Sequence, residues 1–246
     1  MSPALTALVT GSTRGIGAAI ATALELRGVT VISHGSRSPA SAEANIIGAD
    51  LAEPSAPQAL WEEALDRARQ HGSGRIDILV NNAGLFSANP LDASDIAWLD
   101  AWEDTQRINL TSAAQLCRFA VRKWLEEKSA GRIVNIASRA AYRGDSPDHW
   151  HYAAAKAGMV AMTKTIARAY AAKGVLAFAV CPGFTDTSMA DDYLATRGGP
   201  GLVADIPLGR VAKPDEIATI AAFCALDAPP SMTGAVLDAN GASYVR

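Results

Sequence analysis

Short apolar runs alternate with longer amphipathic stretches along the whole sequence. The seven apolar runs are residues 5–10, 29–33, 46–49, 78–81, 132–137, 175–181 and 235–238. Several of them contain almost no polar residue, which is typical of parallel strands that are buried on both faces. Strands that alternate with helices in this way predict an α/β fold: a doubly wound, seven-stranded parallel sheet flanked by helices on both faces.

The stretches between the runs are long enough to form helices, at residues 15–27, 56–71, 101–127, 152–173 and 214–226. Because no linker, repeat or low-complexity tract interrupts them, we expect residues 1–246 to form a single domain. Two long irregular stretches, 139–151 and 184–209, follow predicted strand ends, where open α/β sheets bind their ligands. Loops of this length in a compact domain are usually functional, so we expect residues 184–209 to form a substrate lid.

Composition narrows the class of partner. The chain is 49% hydrophobic and carries a formal net charge of −3, which argues against nucleic acid or an anionic membrane as its main partner. Its three cysteines, Cys117, Cys181 and Cys224, have unrelated spacings that suit neither a disulfide framework nor a zinc site. No apolar run approaches the roughly 18–20 residues of a membrane span, and the N-terminus lacks a basic signal-peptide region. The sequence therefore predicts a cytoplasmic protein.

A glycine-rich turn follows the first predicted strand directly. It reads Thr10-Gly11-Ser12-Thr13-Arg14-Gly15-Ile16-Gly17. Gly11 permits the tight turn from strand to helix, and Gly15 and Gly17 let the backbone approach a phosphate. The helix that follows offers free N–H groups and a partial positive charge to a pyrophosphate. An ordinary glycine turn is the alternative, but its position at the first strand–helix junction favours a Rossmann-type dinucleotide site.

The end of the second strand bears on which dinucleotide binds. NAD-binding domains usually place an acidic residue there, against the ribose hydroxyls, whereas this chain has Gly35 at that position. Ser36 and Arg37 follow, and Arg14 lies within the glycine turn. Guanidinium groups pair strongly with phosphate. These residues predict NADP(H) rather than NAD(H); the alternative for Arg37 is a solvated loop charge.

Tyr152 and Lys156 stand four residues apart in a predicted helix and therefore share one face. Hydride transfer between a nicotinamide and a carbonyl carbon requires a proton at the carbonyl oxygen. A phenol with a pKa of about 10 is a poor base near neutral pH, but a neighbouring ammonium or oxidised nicotinamide would lower that pKa. The pair suits proton transfer, although such spacing alone is more often a surface contact.

Taken in order, these motifs resemble the short-chain dehydrogenase/reductase superfamily, and the resemblance covers essentially the whole chain. The further matching segments are Asn81-Asn82-Ala83-Gly84, Asn109, Ser138, Tyr152-Ala-Ala-Ala-Lys156, Pro182-Gly183, Pro207-Leu208-Gly209-Arg210 and Met232-Thr233-Gly234. The resemblance implies an oxidoreductase acting on a carbonyl/alcohol pair. It makes Tyr152 the general acid/base, Ser138 the group that orients the substrate oxygen, and Asn109 the holder of a water relay to Lys156.

The same resemblance assigns the remaining cofactor contacts. Asp50 and Leu51 would meet the adenine, although Asp50 could equally cap the helix that follows. Asn82, Ala83 and Gly84 would lie at the ribose, with Lys156 bonded to the nicotinamide ribose. The nicotinamide carboxamide and nearby phosphate would be held by Pro182, Gly183, Thr185 and Thr187.

Substrate contacts are less defined. Ser138 and Tyr152 are 14 residues apart, one more than in many members of the superfamily. Tyr142 and Trp150 in the intervening loop, with Tyr193 in the lid, are candidates for a substrate wall; packing of the loop or a subunit contact are equal alternatives. His149 and His151 lack the partners of a metal site.

The resemblance also implies a homotetramer, or a dimer, assembled through helices 106–127 and 152–172, and a small carbonyl or alcohol substrate. The alternative function is a non-catalytic NADP(H)-binding, redox-responsive regulator. Such proteins usually lose the Tyr or the Lys, and this chain retains both.

Overall fold

The computed structural model describes residues 5–37, 46–187 and 203–246. All seven predicted strands are present, and they form one sheet. They are β1 (Thr6–Val9), β2 (Thr30–Gly35), β3 (Ile46–Gly48), β4 (Ile78–Asn81), β5 (Gly131–Ile136), β6 (Val175–Pro182) and β7 (Val236–Ala239). The strand order is β3-β2-β1-β4-β5-β6-β7 and every neighbouring pair is parallel. The predicted doubly wound seven-stranded parallel sheet is therefore confirmed.

The topology places a crevice at the centre of the sheet. Strand β1 pairs with β2 on one side and with β4 on the other, so the strand order changes direction between β1 and β4. In open α/β sheets, ligands bind outside the carboxyl ends of the strands at this point. Strands β2 and β5 flank the crevice three strand spacings apart, which is about 14 Å.

Helices cover both faces of the sheet. They are α1 (Gly15–Glu25), α2 (Ala56–His71), α3 (Asp95–Gln106), α4 (Ser112–Glu127), α5 (Ala140–Arg143), α6 (Trp150–Tyr170) and α7 (Pro214–Ala222). Alternate residues of one strand enter opposite cores: Ala7 and Val9 pack in the cluster that holds α1 and α7, whereas Leu8 packs in the one that holds α2, α4 and α6. Strand β1 is thus buried on both faces, as its apolar composition predicts, whereas the edge strand β7 is only partly buried.

Trp124 ties α4 to the sheet. Its side chain is 1% exposed and its indole N–H donates to the carbonyl of Ile76 at 2.7 Å. A Cβ at Gly131, the first residue of β5, would overlap the indole ring. The absence of a side chain at Gly131 therefore lets α4 lie close to the strand.

The predicted boundaries are wrong in two places. The helix expected to begin at residue 101 begins at Asp95, where Ser94 caps the first turn by accepting from the backbone N–H of Ala97 at 3.3 Å. Helix α3 buries only Thr105, so it lacks the apolar period that would have marked its start. The stretch 139–151, expected to be irregular, contains the short helix α5 and the first two residues of α6.

Between α3 and α4 the helix widens into a π-helical turn, Arg107–Thr111. Of the predicted lid, residues 184–187 and 203–209 belong to the described parts of the chain, and Tyr193 lies outside them. Among the described residues, no helix is both long and apolar enough to cross a bilayer.

Candidate active site

A cleft of about 400 Å³ lies at the carboxyl ends of the central strands. Its wall includes eighteen of the predicted cofactor contacts, which are Gly11, Thr13, Arg14, Gly15, Ile16, Gly17, Ser36, Asp50, Leu51, Asn82, Ala83, Gly84, Tyr152, Lys156, Pro182, Gly183, Thr185 and Thr187. Ser138, Tyr152 and Lys156 line the same cleft. Ser12 and Arg37 do not. The fold therefore brings the glycine turn and the predicted proton-transfer residues to one cavity.

The backbone of the glycine turn has a shape that side chains would prevent. Gly11 and Gly15 have φ of 63° and 57°, in the left-handed region that favours glycine. At Gly17, a Cβ would overlap the carbonyl oxygen of Gly11 and the side-chain amide of Asn82. That amide donates to the carbonyls of Thr10 and Gly11, each at 3.0 Å. Asn82 thus fixes the turn to the end of β4, and its predicted role at the strand end has a structural basis.

Ser12 and His34 hold the turn from beneath. Ser12 Oγ accepts from the backbone N–H of His34 at 3.0 Å and donates to the carbonyl of Val9 at 2.9 Å. The imidazole of His34 is 2% exposed; its Nδ1 accepts from the N–H of Gly11 at 3.0 Å, and its Nε2 lies 2.8 Å from the carbonyl of Ala49. This arrangement requires a neutral ring protonated on Nε2. Burial lowers the pKa of His34, which favours the same form.

Sequence analysis did not identify His34 as a site residue. The imidazole joins the glycine turn to the end of β3 through partners 23 and 15 residues away along the chain. No local sequence pattern indicates these partners. The one available signal was the presence of a histidine inside an apolar strand next to the glycine turn, which suggests a buried hydrogen bond.

Thr13 lies next to the position where an NAD-binding domain usually has its acid. A Cβ at Gly35 would lie 2.7 Å from the γ-methyl of Thr13, so a side chain at residue 35 would require the exposed Thr13 side chain to shift. Arg14 and Ser36 line this end of the cleft. Asp50 also lines it and accepts from the N–H of Ala52 at 3.0 Å, which is a contact within the turn that precedes α2. Because α2 begins at Ala56 with Ser55 at its N-cap, the alternative that Asp50 caps this helix is wrong.

Tyr152 lies at the other end of the cleft, half-buried on the first turn of α6. Phe86 packs edge-on against its ring, with centroids 4.8 Å apart. Burial raises the pKa of Tyr152 to about 12, and a hydrogen bond with Ser138 opposes that rise. Ser138 Oγ also accepts from the N–H of Ala140 at 3.1 Å, so it makes the local backbone contact as well as facing Tyr152.

Lys156 is 3% exposed, and its ammonium donates to the carbonyl of Ile136 at 2.9 Å. Burial lowers its pKa to about 8. The ammonium lies 5.8 Å from the centroid of the Tyr152 ring. Lys156 therefore lies beside Tyr152 as expected, and its lowering of the Tyr152 pKa together with an oxidised nicotinamide stays a prediction.

Asn109 is fully buried in the π-helical turn. Its side-chain amide holds the backbone of Leu85 from both sides: Oδ1 accepts from the N–H at 2.6 Å and Nδ2 donates to the carbonyl at 2.8 Å. A Cβ at Gly84 would lie 3.1 Å from Asn109 Oδ1 and 3.6 Å from the ammonium of Lys156. Asn109 thus positions the cleft wall above Lys156, and its role in a water relay stays a prediction.

The predicted substrate wall requires correction. The hydroxyl of Tyr142 accepts from Arg246 at 3.0 Å and its ring stacks on Tyr244, so this side chain packs against the C-terminal residues instead of lining the cleft. Trp150 is 54% exposed and its ring meets Trp98 edge-on. The loop-packing alternative holds for Tyr142. The residues of the expected wall segments that do line the cleft include Phe86, Arg139, Asp145 and Phe184.

His149 stacks on Phe86 with ring centroids 4.1 Å apart, and its Nδ1 lies 2.6 Å from Ser146 Oγ. It therefore packs the loop against the wall of the cleft. Within the described residues, no group of three or more His, Cys, Asp or Glu side chains could hold a metal ion.

The chain is similar in sequence to known reductases over nearly its whole length. A family model described as enoyl-(acyl carrier protein) reductase matches residues 11–241. The chain is 37% identical over 248 residues to the 3-oxoacyl-(acyl-carrier-protein) reductase FabG of Escherichia coli strain K12, covering 97% of each protein. A 3-oxoacyl-(acyl-carrier-protein) reductase of a Synechocystis species is 35% identical and is covered over 95% of its length.

Solved structures of dehydrogenases have the same fold as this chain. A protein described as a 2-deoxy-D-gluconate 3-dehydrogenase from Agrobacterium tumefaciens, with bound NADP, superposes with a TM-score of 0.84 at 28% identity, over 100% of this chain and 98% of that one. The aldohexose dehydrogenase of Thermoplasma acidophilum superposes with a TM-score of 0.85 at 27% identity, over 99% and 95%. The family model and the relatives span nearly the whole chain and match the fold in which the cleft lies. This chain therefore belongs to the short-chain dehydrogenase/reductase superfamily and is an oxidoreductase.

Proposed function

We propose that this protein is an NADP(H)-dependent carbonyl reductase or alcohol dehydrogenase in which Tyr152 transfers the proton. The observation that carries the proposal is the shared cleft: Tyr152, Lys156 and Ser138 line one end of it, and the glycine turn lines the other. When bound, NADPH would supply the hydride for the carbonyl carbon. The residues of this chain would orient the carbonyl and provide the proton.

The protonation states of the two titratable groups suit reduction. With a pKa of about 12, Tyr152 is a neutral phenol at neutral pH and can donate to a developing alkoxide. Ser138, which bonds to Tyr152, would hold the substrate oxygen next to the phenol. With a pKa of about 8, Lys156 is mostly charged at neutral pH and would stabilise the phenolate that remains. In oxidation the proton moves the other way, from the alcohol to Tyr152.

NADP(H) is supported by the end of the cleft that would receive the adenosine ribose. Arg14 and Ser36 line it and offer donors to a 2′-phosphate. Residue 35 is a glycine, so no carboxylate stands there to repel the phosphate. The structural relative from Agrobacterium tumefaciens was solved with NADP.

The relatives include a 3-oxoacyl-(acyl-carrier-protein) reductase and an aldohexose dehydrogenase, and both names describe the interconversion of a carbonyl and an alcohol. This supports the same bond type in our chain. Tyr152, Lys156, Ser138 and Asn109 are all present, so nothing favours the alternative of a non-catalytic regulator. The assembly of two or four subunits through residues 106–127 and 152–172 belongs to the proposal on the strength of the family resemblance alone.

Replacing Tyr152 with Phe tests the mechanism. The Y152F variant should lower kcat/KM for NADPH-dependent ketone reduction by at least about 100-fold, because it removes the proton donor. Its affinity for NADPH, measured by fluorescence, should stay within about threefold. The matched control is Y170F at the other end of α6, outside the cleft, which should retain full turnover. Turnover of Y152F equal to that of the wild type would overturn the mechanism.

The cofactor preference has a separate test. The R14A variant should raise KM for NADPH at least about tenfold and leave KM for NADH nearly unchanged, since only NADPH carries the 2′-phosphate. The R37A variant should have a smaller effect because Arg37 does not line the cleft. An equal rise in KM for both cofactors would contradict the assignment to NADP(H).

A further inference from the structure

Phe86 is an aromatic side chain in the wall of the cleft that the proton transfer does not use. It is half-buried and lines the same cavity as Tyr152. The two rings meet at an interplanar angle of 77° with centroids 4.8 Å apart, which is a direct edge-to-face contact. Phe86 thus forms the side of the cleft next to the residue proposed to transfer the proton.

The backbone that carries Phe86 is held on both sides. At the preceding residue, the buried side chain of Asn109 accepts from the N–H of Leu85 at 2.6 Å and donates to its carbonyl at 2.8 Å. Three residues after Phe86, the N–H of Asn89 donates to the carbonyl of Asp148 at 2.8 Å. A backbone shift that moved Phe86 away from the cleft would therefore break these hydrogen bonds.

A buried imidazole packs against the ring of Phe86. His149 is 2% exposed and stacks on Phe86 with ring centroids 4.1 Å apart and an interplanar angle of 18°. Its Nδ1 lies 2.6 Å from Ser146 Oγ, and its backbone N–H donates to the carbonyl of Ser146 at 2.9 Å. Phe86 therefore makes ring contacts with both His149 and Tyr152. Forcing extra atoms into a well-packed site is destabilising, so this ring resists displacement by a bulky group.

We propose that Phe86 determines how an unsymmetrical ketone lies in the cleft, with the smaller substituent of the carbonyl against its ring, and that His149 is the positioning residue that holds this ring. This inference rests on the proposed function. A ketone whose oxygen is bonded to Tyr152 has one substituent on the side of Phe86 and the other directed away from it. Because the wall on the side of Phe86 is rigid, a larger group is disfavoured there.

This orientation also decides which alcohol enantiomer forms. In the reduction, the carbonyl carbon gains a hydride from NADPH, which becomes NADP⁺, and the oxygen gains the proton of Tyr152. The hydride reaches the carbonyl from the side of the cleft that would hold the nicotinamide. Exchanging the places of the two substituents therefore turns the opposite face of the carbonyl to the hydride and gives the opposite enantiomer.

The ratio of alcohol enantiomers tests the inference. Methyl ketones that carry a propyl, hexyl or phenyl group would be reduced with NADPH by the wild type, F86L and F86A, and the products separated by chiral chromatography. The wild type should give one enantiomer in at least about tenfold excess, because even one methylene group against a fitted wall has an effect of this size. F86A should lower the ratio at least about fivefold, and F86L should lie between them because leucine keeps part of the wall.

A second pair of variants tests the role of His149. H149A removes the stacked ring and should lower the enantiomer ratio at least about threefold, whereas H149F keeps an aromatic face against Phe86 and should restore most of the wild-type ratio. The control is F223A, which removes a phenyl ring outside the cleft and should leave the ratio unchanged. Only active molecules form product, so the ratio does not depend on the fraction of each variant that is folded.

The outcomes separate this inference from the proposed function. Equal amounts of both enantiomers from the wild type, or a wild-type ratio in both F86A and F86L, would overturn the role of Phe86 and leave the proposed function intact. A ratio that falls in F86A but not in H149A, or one that is as low in H149F as in H149A, would overturn the role of His149. Lack of turnover with every ketone, by a wild type that binds NADPH, would overturn the proposed function.

Discussion

The two ends of the cleft owe their properties to different physical causes. At the glycine end, the shape comes from backbone conformation, and the surrounding polar groups of Asn82 and His34 are bonded within the protein. At the reacting end, the properties come from burial, which raises the pKa of Tyr152 to about 12 and lowers that of Lys156 to about 8. The first end depends on steric fit and the second on the cost of charge in a low dielectric.

This difference predicts different responses to change. A small increase in volume should disable the glycine end, because backbone atoms cannot move aside cheaply. The reacting end should tolerate changes of shape better but respond strongly to pH and to loss of charge. Variants at each end can therefore separate the two contributions.

The largest effect is expected from G17A. The added methyl would overlap the carbonyl of Gly11 and the amide of Asn82, so the turn must shift from the position that receives the pyrophosphate. We expect NADPH affinity to fall at least about 100-fold, or roughly 3 kcal/mol, in a fluorescence titration. The control is T22A, on the exposed side of the same helix. If G17A bound NADPH as tightly as the wild type, steric fit would not define this end.

Sequence analysis predicts the glycine end well and the reacting end less well, for a physical reason. The glycine turn is encoded by neighbouring residues whose backbone requirements can be read directly from the sequence. The orientation of Tyr142 is instead set by Tyr244 and Arg246, about a hundred residues later, and its predicted place in the substrate wall is wrong. The two contacts of His34, with Gly11 and Ala49, could not be predicted for the same reason, since these partners are distant along the chain.

Lys156 gives the next largest effect, in the pH dependence of folding. Its pKa is about 8 in the folded protein against 10.5 ordinarily, so between these values the unfolded chain binds more protons. The free energy of unfolding should therefore rise as pH increases from 7.5 to 10, with Lys156 contributing up to about 2–3 kcal/mol. Urea unfolding without NADPH should show this contribution as the difference between wild type and K156M.

The difference is needed because Tyr152 and the buried cysteines also titrate in alkali. Their pKa values are raised by burial, so each destabilises the fold as pH rises, and this occurs in both proteins. The matched control is K164M, an exposed lysine on the same helix. A difference between wild type and K156M that stays constant across this pH range would mean that Lys156 is not buried as a cation at neutral pH.

The smallest effect is expected at His34. This side chain combines both causes, because it is a buried titratable group and it also supports the backbone of the glycine turn. Protonation of the ring would remove the acceptor for the N–H of Gly11. Since burial lowers the pKa of His34, the support is complete above pH 6.5 and is lost as pH falls through the lower folded value. We expect H34A to weaken NADPH binding by about fivefold at pH 7.5, roughly 1 kcal/mol.

The H34N variant separates the hydrogen bond from the titration. Its Oδ1 can accept from Gly11 as Nδ1 does, so it should retain more affinity than H34A at pH 7.5 and should not titrate. The 2′-phosphate of NADPH itself gains a proton near pH 6, so the diagnostic quantity is the difference in affinity between wild type and H34N from pH 7.5 to 5.5. That difference should shift against the wild type as the pH falls. A difference that stays constant over this pH range would contradict the prediction, since it would mean that protonation of His34 does not affect the glycine end.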